Sequence, residues 1–139
     1  MSTETAAAEQ PKSEPIKKQN PSFEDVPSED EKKLVNTKVF VFDYQSPEDS
    51  RRYVGQFTCR RLTLGAIGQA GVTKARLNGG LSVDRNTDML HEMMSYLAVA
   101  LIEVPDWWDP ESSFDPNLLR SLYSYVRHWE SNFRSGGVG

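Results

Sequence analysis

The chain has 139 residues, a formal net charge of −4 and a single cysteine, Cys59. That length suits one domain with an appendage, and one thiol excludes an internal disulfide framework and gives no metal-ligand spacing. The mild acidity argues against strong nonspecific nucleic-acid binding, and no stretch reaches the roughly 20 apolar residues of a membrane span.

The composition is uneven along the chain. Residues 1–35 hold eight acidic residues, five lysines, four prolines and one aromatic, Phe23. Such a segment buries too little apolar surface to offset chain entropy of roughly 1–2 kcal/mol per residue, so it is predicted to be disordered. Its first residues are neither basic nor apolar enough for a secretory signal. The longest apolar run, Tyr96 to Ile102, reads as a core helix segment. The chain therefore reads as soluble and intracellular.

Lys38 to Tyr44 is β-branched and aromatic, which predicts a strand with Phe40, Phe42 and Tyr44 on one face. After a polar loop containing Pro47, Tyr53 to Arg60 predicts a second strand. Tyr53, Phe57 and Cys59 share a face there if Gly55 does not mark a bulge. Two strands so close in sequence pair most economically as an antiparallel hairpin, which must pack on something else to be stable.

Leu62 to Val72 predicts a short helix, with Thr63 as N-cap and Leu64, Ile67 and Ala70/Gly71 as its apolar stripe. Gly65, Gly68 and Gly71 weaken it by about 1 kcal/mol each and match no phosphate-binding motif. Asn78-Gly79-Gly80 breaks the chain, and Asp84 to Thr87 offers caps for the next helix. Leu90, Met93/Met94, Leu97, Leu101 and Val104 then recur at spacings of three and four until Pro105 stops them. Past Trp107 and Trp108, Asp115-Pro116 reads as an N-cap followed by proline at the first helical position. Leu119, Leu122, Val126, Trp129 and Phe133 form a narrow seam facing a partner helix. These last two helices are expected to form an antiparallel hairpin across a turn of about ten residues.

The predicted fold class is α+β and mostly helical. An N-terminal β-hairpin packs on a small bundle of about three helices, behind a disordered tail. The boundaries are 1–35 for the extension, 36–134 for the domain and 135–139 for a flexible Gly-rich end. The candidate core is Leu90, Leu97, Leu101, Leu119, Leu122, Val126, Trp129 and Phe133.

No catalytic constellation emerges. His91 and His128 lie on different predicted helices, and His91-Glu92 lacks the second histidine of the helical zinc pattern. Cys59 reads as a small core residue, and Asp106 and Asp109 as turn residues around the tryptophans. No cofactor or metal is expected. Arg51-Arg52 and Arg60-Arg61 bracket the second strand, with Tyr53 and Phe57 between them. That pattern suits single-stranded nucleic acid, but alternate strand positions must face inward, so a solvated rim is the favoured reading. Of Trp107 and Trp108, one is expected to anchor the fold and the other to reach an interface.

Three pieces together resemble the small tail assembly chaperones of long-tailed bacteriophages. They are Tyr53 to Gly65, then Leu77-Asn78-Gly79-Gly80 with Asp84 and Thr87-Asp88, then Pro105-Asp106-Trp107-Trp108-Asp109-Pro110. The resemblance implies a non-catalytic protein of the infected host's cytoplasm. It would bind the tape measure protein and keep it soluble while tail tube subunits polymerise around it. The family is often made in two lengths by a ribosomal frameshift, and Ser135 to Gly139 would end the shorter product. Candidate partner-binding residues are Trp107, Trp108, Met93, Met94, Arg60 and Arg61, the methionines because thioethers adapt to irregular surfaces. Coating a long client also implies self-association. The alternatives are a structural tail or neck component and a small nucleic-acid-binding regulator.

Overall fold

The alternation of Thr37–Gln45 decides the architecture. In the computed structural model, which describes residues 19–27 and 36–134, that segment is strand β2, and Arg52–Arg60 is β3. They pair antiparallel without a break from Thr37↔Arg60 to Gln45↔Arg52, so Gly55 sits opposite Phe42 and marks no bulge. Phe40, Phe42, Tyr44, Tyr53, Phe57 and Cys59 are all buried on one face, as predicted. Burial stabilises each of the larger side chains by roughly 1.5–3 kcal/mol.

The helices α2 (Arg85–Ala100) and α3 (Pro116–Arg134) cover that face. Met93, Tyr96, Leu97 and Ala100 from α2, and Leu118, Leu119, Leu122 and Val126 from α3, join the strand aromatics in one core. Leu90 and Trp129 are half-buried against it. Phe133 lies outside the residues whose side chains are described, as do residues 1–18, 28–35 and 135–139. The class is α+β, as expected.

The expected two-stranded hairpin is in fact a four-stranded antiparallel sheet in the order β1-β2-β3-β4. Strand β1, Ser22–Asp25, falls inside the segment expected to be disordered. One aromatic explains the correction, because averaging the composition over 35 residues diluted it. The Phe23 ring stacks on Tyr125 at 4.1 Å and 5°, Lys38 pairs with Asp25 at 3.0 Å, and Asn20 exchanges two hydrogen bonds with the Gln45 backbone.

Strand β4, Leu101–Glu103, corrects a second expectation. The second helix does not run to Pro105 but ends at Ala100, and Leu101 turns to φ −90°, ψ 114°. Leu101 keeps its place in the core, now paired with Cys59 across an irregular register. A residue four beyond Leu97 fits a helical stripe, but Ile102 and Val104 favour strand and Pro105 disfavours helix in the residue before it.

Thr63 caps α1 (Leu64–Leu77) by accepting from Ala66 N at 3.1 Å, and Asp84 caps α2 by accepting from Thr87 N at 3.0 Å. The tight helical pair is α1 with α2 across the short connection 78–84, not α2 with α3. Lys74 reaches Asp88 at 3.1 Å and Glu92 at 2.9 Å, while the Asn78 amide engages Asp88 and His91. Between α2 and α3 the chain spends residues 101–115 on β4 and a 3₁₀ turn, Pro110–Ser112. The two helices still meet where Tyr96 and Tyr123 contact edge to face at 5.4 Å.

Glu130 closes the structure. This carboxylate is buried and accepts from the Leu62 backbone N–H at 2.8 Å and the Tyr96 hydroxyl at 2.9 Å. It therefore ties α3 to α2 and to the junction between β3 and α1, leaving neither donor unmet.

Candidate partner-binding groove

The segment 105–110 crosses the sheet at Gly55. A Cβ on Gly55 would fall 2.6 Å from Pro105 Cβ and Cγ and 3.1 Å from Trp107 Nε1, so only glycine lets the segment lie this close. Trp107 packs on Tyr53 at 5.1 Å and Phe57 at 5.7 Å, and its indole N–H donates to Val54 O at 2.9 Å. Trp108 meets Phe57 edge-on at 5.6 Å. Both tryptophans are half-buried against the core, so the expected division into one anchor and one exposed contact does not occur. Asp109 accepts from Ser112 Oγ at 2.8 Å, a turn contact.

The other candidate contacts disperse. Met93 is core, Met94 is half-buried, and Met89 is the exposed member of the group, so the methionines present no common surface. Arg60 donates to Val99 O at 2.8 Å, holding the end of α2, and Arg61 reaches Asn36 Oδ1 at 3.3 Å. Arg52 grips Asp43 with two hydrogen bonds, and Arg51 lies 4.9 Å over the Tyr53 ring. With Tyr53 and Phe57 facing the core, the interleaved basic-aromatic pattern is a structural rim. Burial pushes the Cys59 thiol up to about 12, which makes it a poor nucleophile.

What the fold does build is a groove of about 680 Å³ between the start of β1, the β2–β3 turn and α3. Its apolar wall is Pro21, Phe23, Tyr44, Pro47 and Tyr125, and its rim carries Arg120 and His128 among serines and asparagines. The groove is open along its length, a shape that suits a chain segment laid on the surface rather than an enclosed small molecule. Among the described residues, no carboxylate lines it.

The α3 N-terminus is locked beside the groove. Asp115 is buried, accepts from the Tyr44 and Ser46 hydroxyls, and caps α3 by accepting from Asn117 N at 2.9 Å. Burial alone would raise this carboxyl, but the donors converging on it outweigh that and hold it below the usual aspartate value. Burial and the adjacent carboxylates, Asp115 for Tyr44 and Asp25 for Tyr125, push both groove tyrosines above the ordinary phenol value. Both groove tyrosines are therefore neutral near pH 7, and the Arg120 guanidinium stands at the rim.

Sequence reasoning missed Phe23, Tyr44, Arg120 and Tyr125 as site residues. A signal existed on α3, where Asn117, Ser121 and Tyr125, and separately Arg120, Ser124 and His128, recur every fourth residue beside the leucine seam. Nothing in the sequence says that β1 supplies the opposite wall. Among the described residues, no group of three His, Cys, Asp or Glu side chains could hold a metal ion. No helix there is long and apolar enough to cross a membrane. In comparisons with protein-family models, curated proteins and solved structures, nothing matches this chain.

Proposed function

We propose that this chain is a non-catalytic binding protein acting as a phage tail assembly chaperone, and that the groove beside α3 receives segments of its client. The client is the tape measure protein, held soluble in the host cytoplasm until tail tube subunits assemble around it. The groove carries the proposal, with an aromatic and proline wall, neutral hydroxyls and the Arg120 guanidinium at its rim. Such a surface accepts the apolar stripe of an amphipathic helix, with an acidic residue of the client set against Arg120. The resemblance of about residues 53–134 to tail assembly chaperones supplies the identity of the client.

Co-expression with a tape measure protein is the direct test. The client is expected to be soluble and to co-purify with the wild-type chain, and to be lost when Ser124→Trp fills the groove. A client equally insoluble with and without this chain removes the proposal. Mass spectrometry of purified particles separates it from a structural tail or neck component, because a chaperone is absent from the finished virion.

A further inference from the structure

The segment that crosses Gly55 builds a second, smaller cavity on its outer side. About 360 Å³ is bounded by Tyr53, Trp107 and Trp108, by the carboxylates of Asp106 and Asp109, and by Arg51. A turn assembles it. Trp108 N donates to Pro105 O at 3.0 Å, which places Asp106 and Trp107 at the corner between them. The rings meet at steep angles, Trp107 with Tyr53 at 5.1 Å and 59° and with Trp108 at 6.3 Å and 70°. Rings set this way form a corner rather than a stack.

Three features select a cation as the occupant. Aromatic faces carry partial negative charge and attract an ammonium or guanidinium group. Two carboxylates line the cavity against one guanidinium, and the exposed Asp106 carboxylate has no hydrogen bond or ion pair among the described residues. The chain also sets a cation of its own there, since the Arg51 guanidinium lies 4.9 Å over the Tyr53 ring. Arg51 is exposed and has no ion pair among the described residues, so only that ring contact holds its head in place. The groove beside α3 has the opposite character, with Arg120 at its rim and no carboxylate among the described residues that line it.

We propose that the cavity of Tyr53, Trp107 and Trp108 is a binding site for an alkylammonium cation, supplied by a lysine side chain of a partner or by a free amine. Asp106 is its counter-ion, and Arg51 is the resident cation that the ligand displaces. It does not depend on what fills the groove beside α3. The volume admits one headgroup rather than a helix, which is about 10 Å across. A single cation on such a half-open surface is held weakly, with a dissociation constant on the order of 1 mM.

Titration of the full chain with choline chloride at constant ionic strength, followed by the indole N–H resonances, reads this directly. The signals of Trp107 and Trp108 should shift and saturate, while that of Trp129, which lies outside the cavity, stays. Neopentyl carbinol, the uncharged carbon isostere of choline, should bind at least about tenfold more weakly. Asp106→Asn should weaken choline binding about threefold or more, and Arg51→Ala should tighten it by a similar factor. Glu111→Gln, exposed and outside the cavity, should change nothing. The peptide acetyl-Gly-Lys-Gly-amide distinguishes the sources, because tighter binding than choline points to a lysine of a partner and weaker binding to a free quaternary amine. No shift up to about 50 mM choline overturns the proposal. An equal response to neopentyl carbinol overturns it too, as does choline binding that Asp106→Asn leaves unchanged or that Arg51→Ala weakens.

Discussion

An added Cβ at Gly55 would fall 2.6 Å from two atoms of Pro105, whereas at Gly68 or Gly71 it would meet nothing within 4 Å. The contrast extends to the surroundings of each glycine. Around Gly55, Tyr53, Phe57, Trp107 and Trp108 interlock above a central strand. Around Gly68 and Gly71, Leu64, Ile67 and Val72 stand in solvent. One region spends its apolar residues on its own stability and the other displays them. Glycine in the first is a steric requirement, and in the second a concession in helix stability that no contact among the described residues calls for.

Removing rings from the first region and side chains from the second should separate them most. Trp107→Ala forfeits contacts with Tyr53 and Phe57 and the hydrogen bond to Val54 O, and should lower stability by about 3 kcal/mol. Leu64→Ala should stay within about 0.5 kcal/mol. Urea midpoints at low protein concentration measure both, and equal losses would erase the distinction.

The glycines themselves come next. Gly55→Ala should destabilise by about 1–3 kcal/mol, because Pro105 and Trp107 must move. Thermal melts, with a crystal structure of the variant, would show whether segment 105–110 lifts from the sheet.

Acid titration probes how the covered region is held. Asp115 sits below its ordinary value of 3.8 when folded, so its stabilising contribution is present above that value. The contribution fades as pH falls through it and on through the lower folded value. Between about pH 6 and pH 2, Asp115→Asn should start less stable and lose stability less steeply than wild type. Parallel curves would mean the Tyr44 and Ser46 contacts contribute nothing.

The smallest effect has the opposite sign. Gly71→Ala should stabilise the chain by about 0.5–1 kcal/mol, read from thermal melts. A destabilised variant would show a packing role for Gly71 within the chain.

The parts of this structure legible in the sequence are those set by neighbours in the chain. Phe40, Phe42 and Tyr44 alternate because a strand half-buried on one face must, and Thr63, Asp84 and Asp115 announce helix starts through their own side-chain oxygens. Distant partners hide the rest. Phe23 becomes strand only because Tyr125, about a hundred residues on, stacks against it. Leu101 satisfies helical spacing and strand pairing equally, and only Cys59 across the sheet decides. The Glu130 carboxylate reads as surface charge until Leu62 N–H and the Tyr96 hydroxyl are seen to enclose it. On α1 the spacing predicted the helix but not its orientation, since periodicity locates a stripe without saying whether the stripe faces its own chain.

The lid of segment 105–110 over Gly55 also sets the order in which the chain can fold. The Trp107–Val54 bond spans 53 residues, Tyr44–Asp115 spans 71 and Tyr125–Asp25 spans 100. Such distant pairings incur loop-closure entropy before they return any stabilisation, so folding is expected to be slower than that of an all-helical domain of this size. Until residues 101–103 arrive, β3 keeps one unpaired edge, a template for the wrong strand. The β2–β3 hairpin and the α1–α2 pair are thus the local units that form early. Proline and tryptophan over Gly55 are expected to close the sheet last, which a φ-value near zero for Trp107→Ala would show.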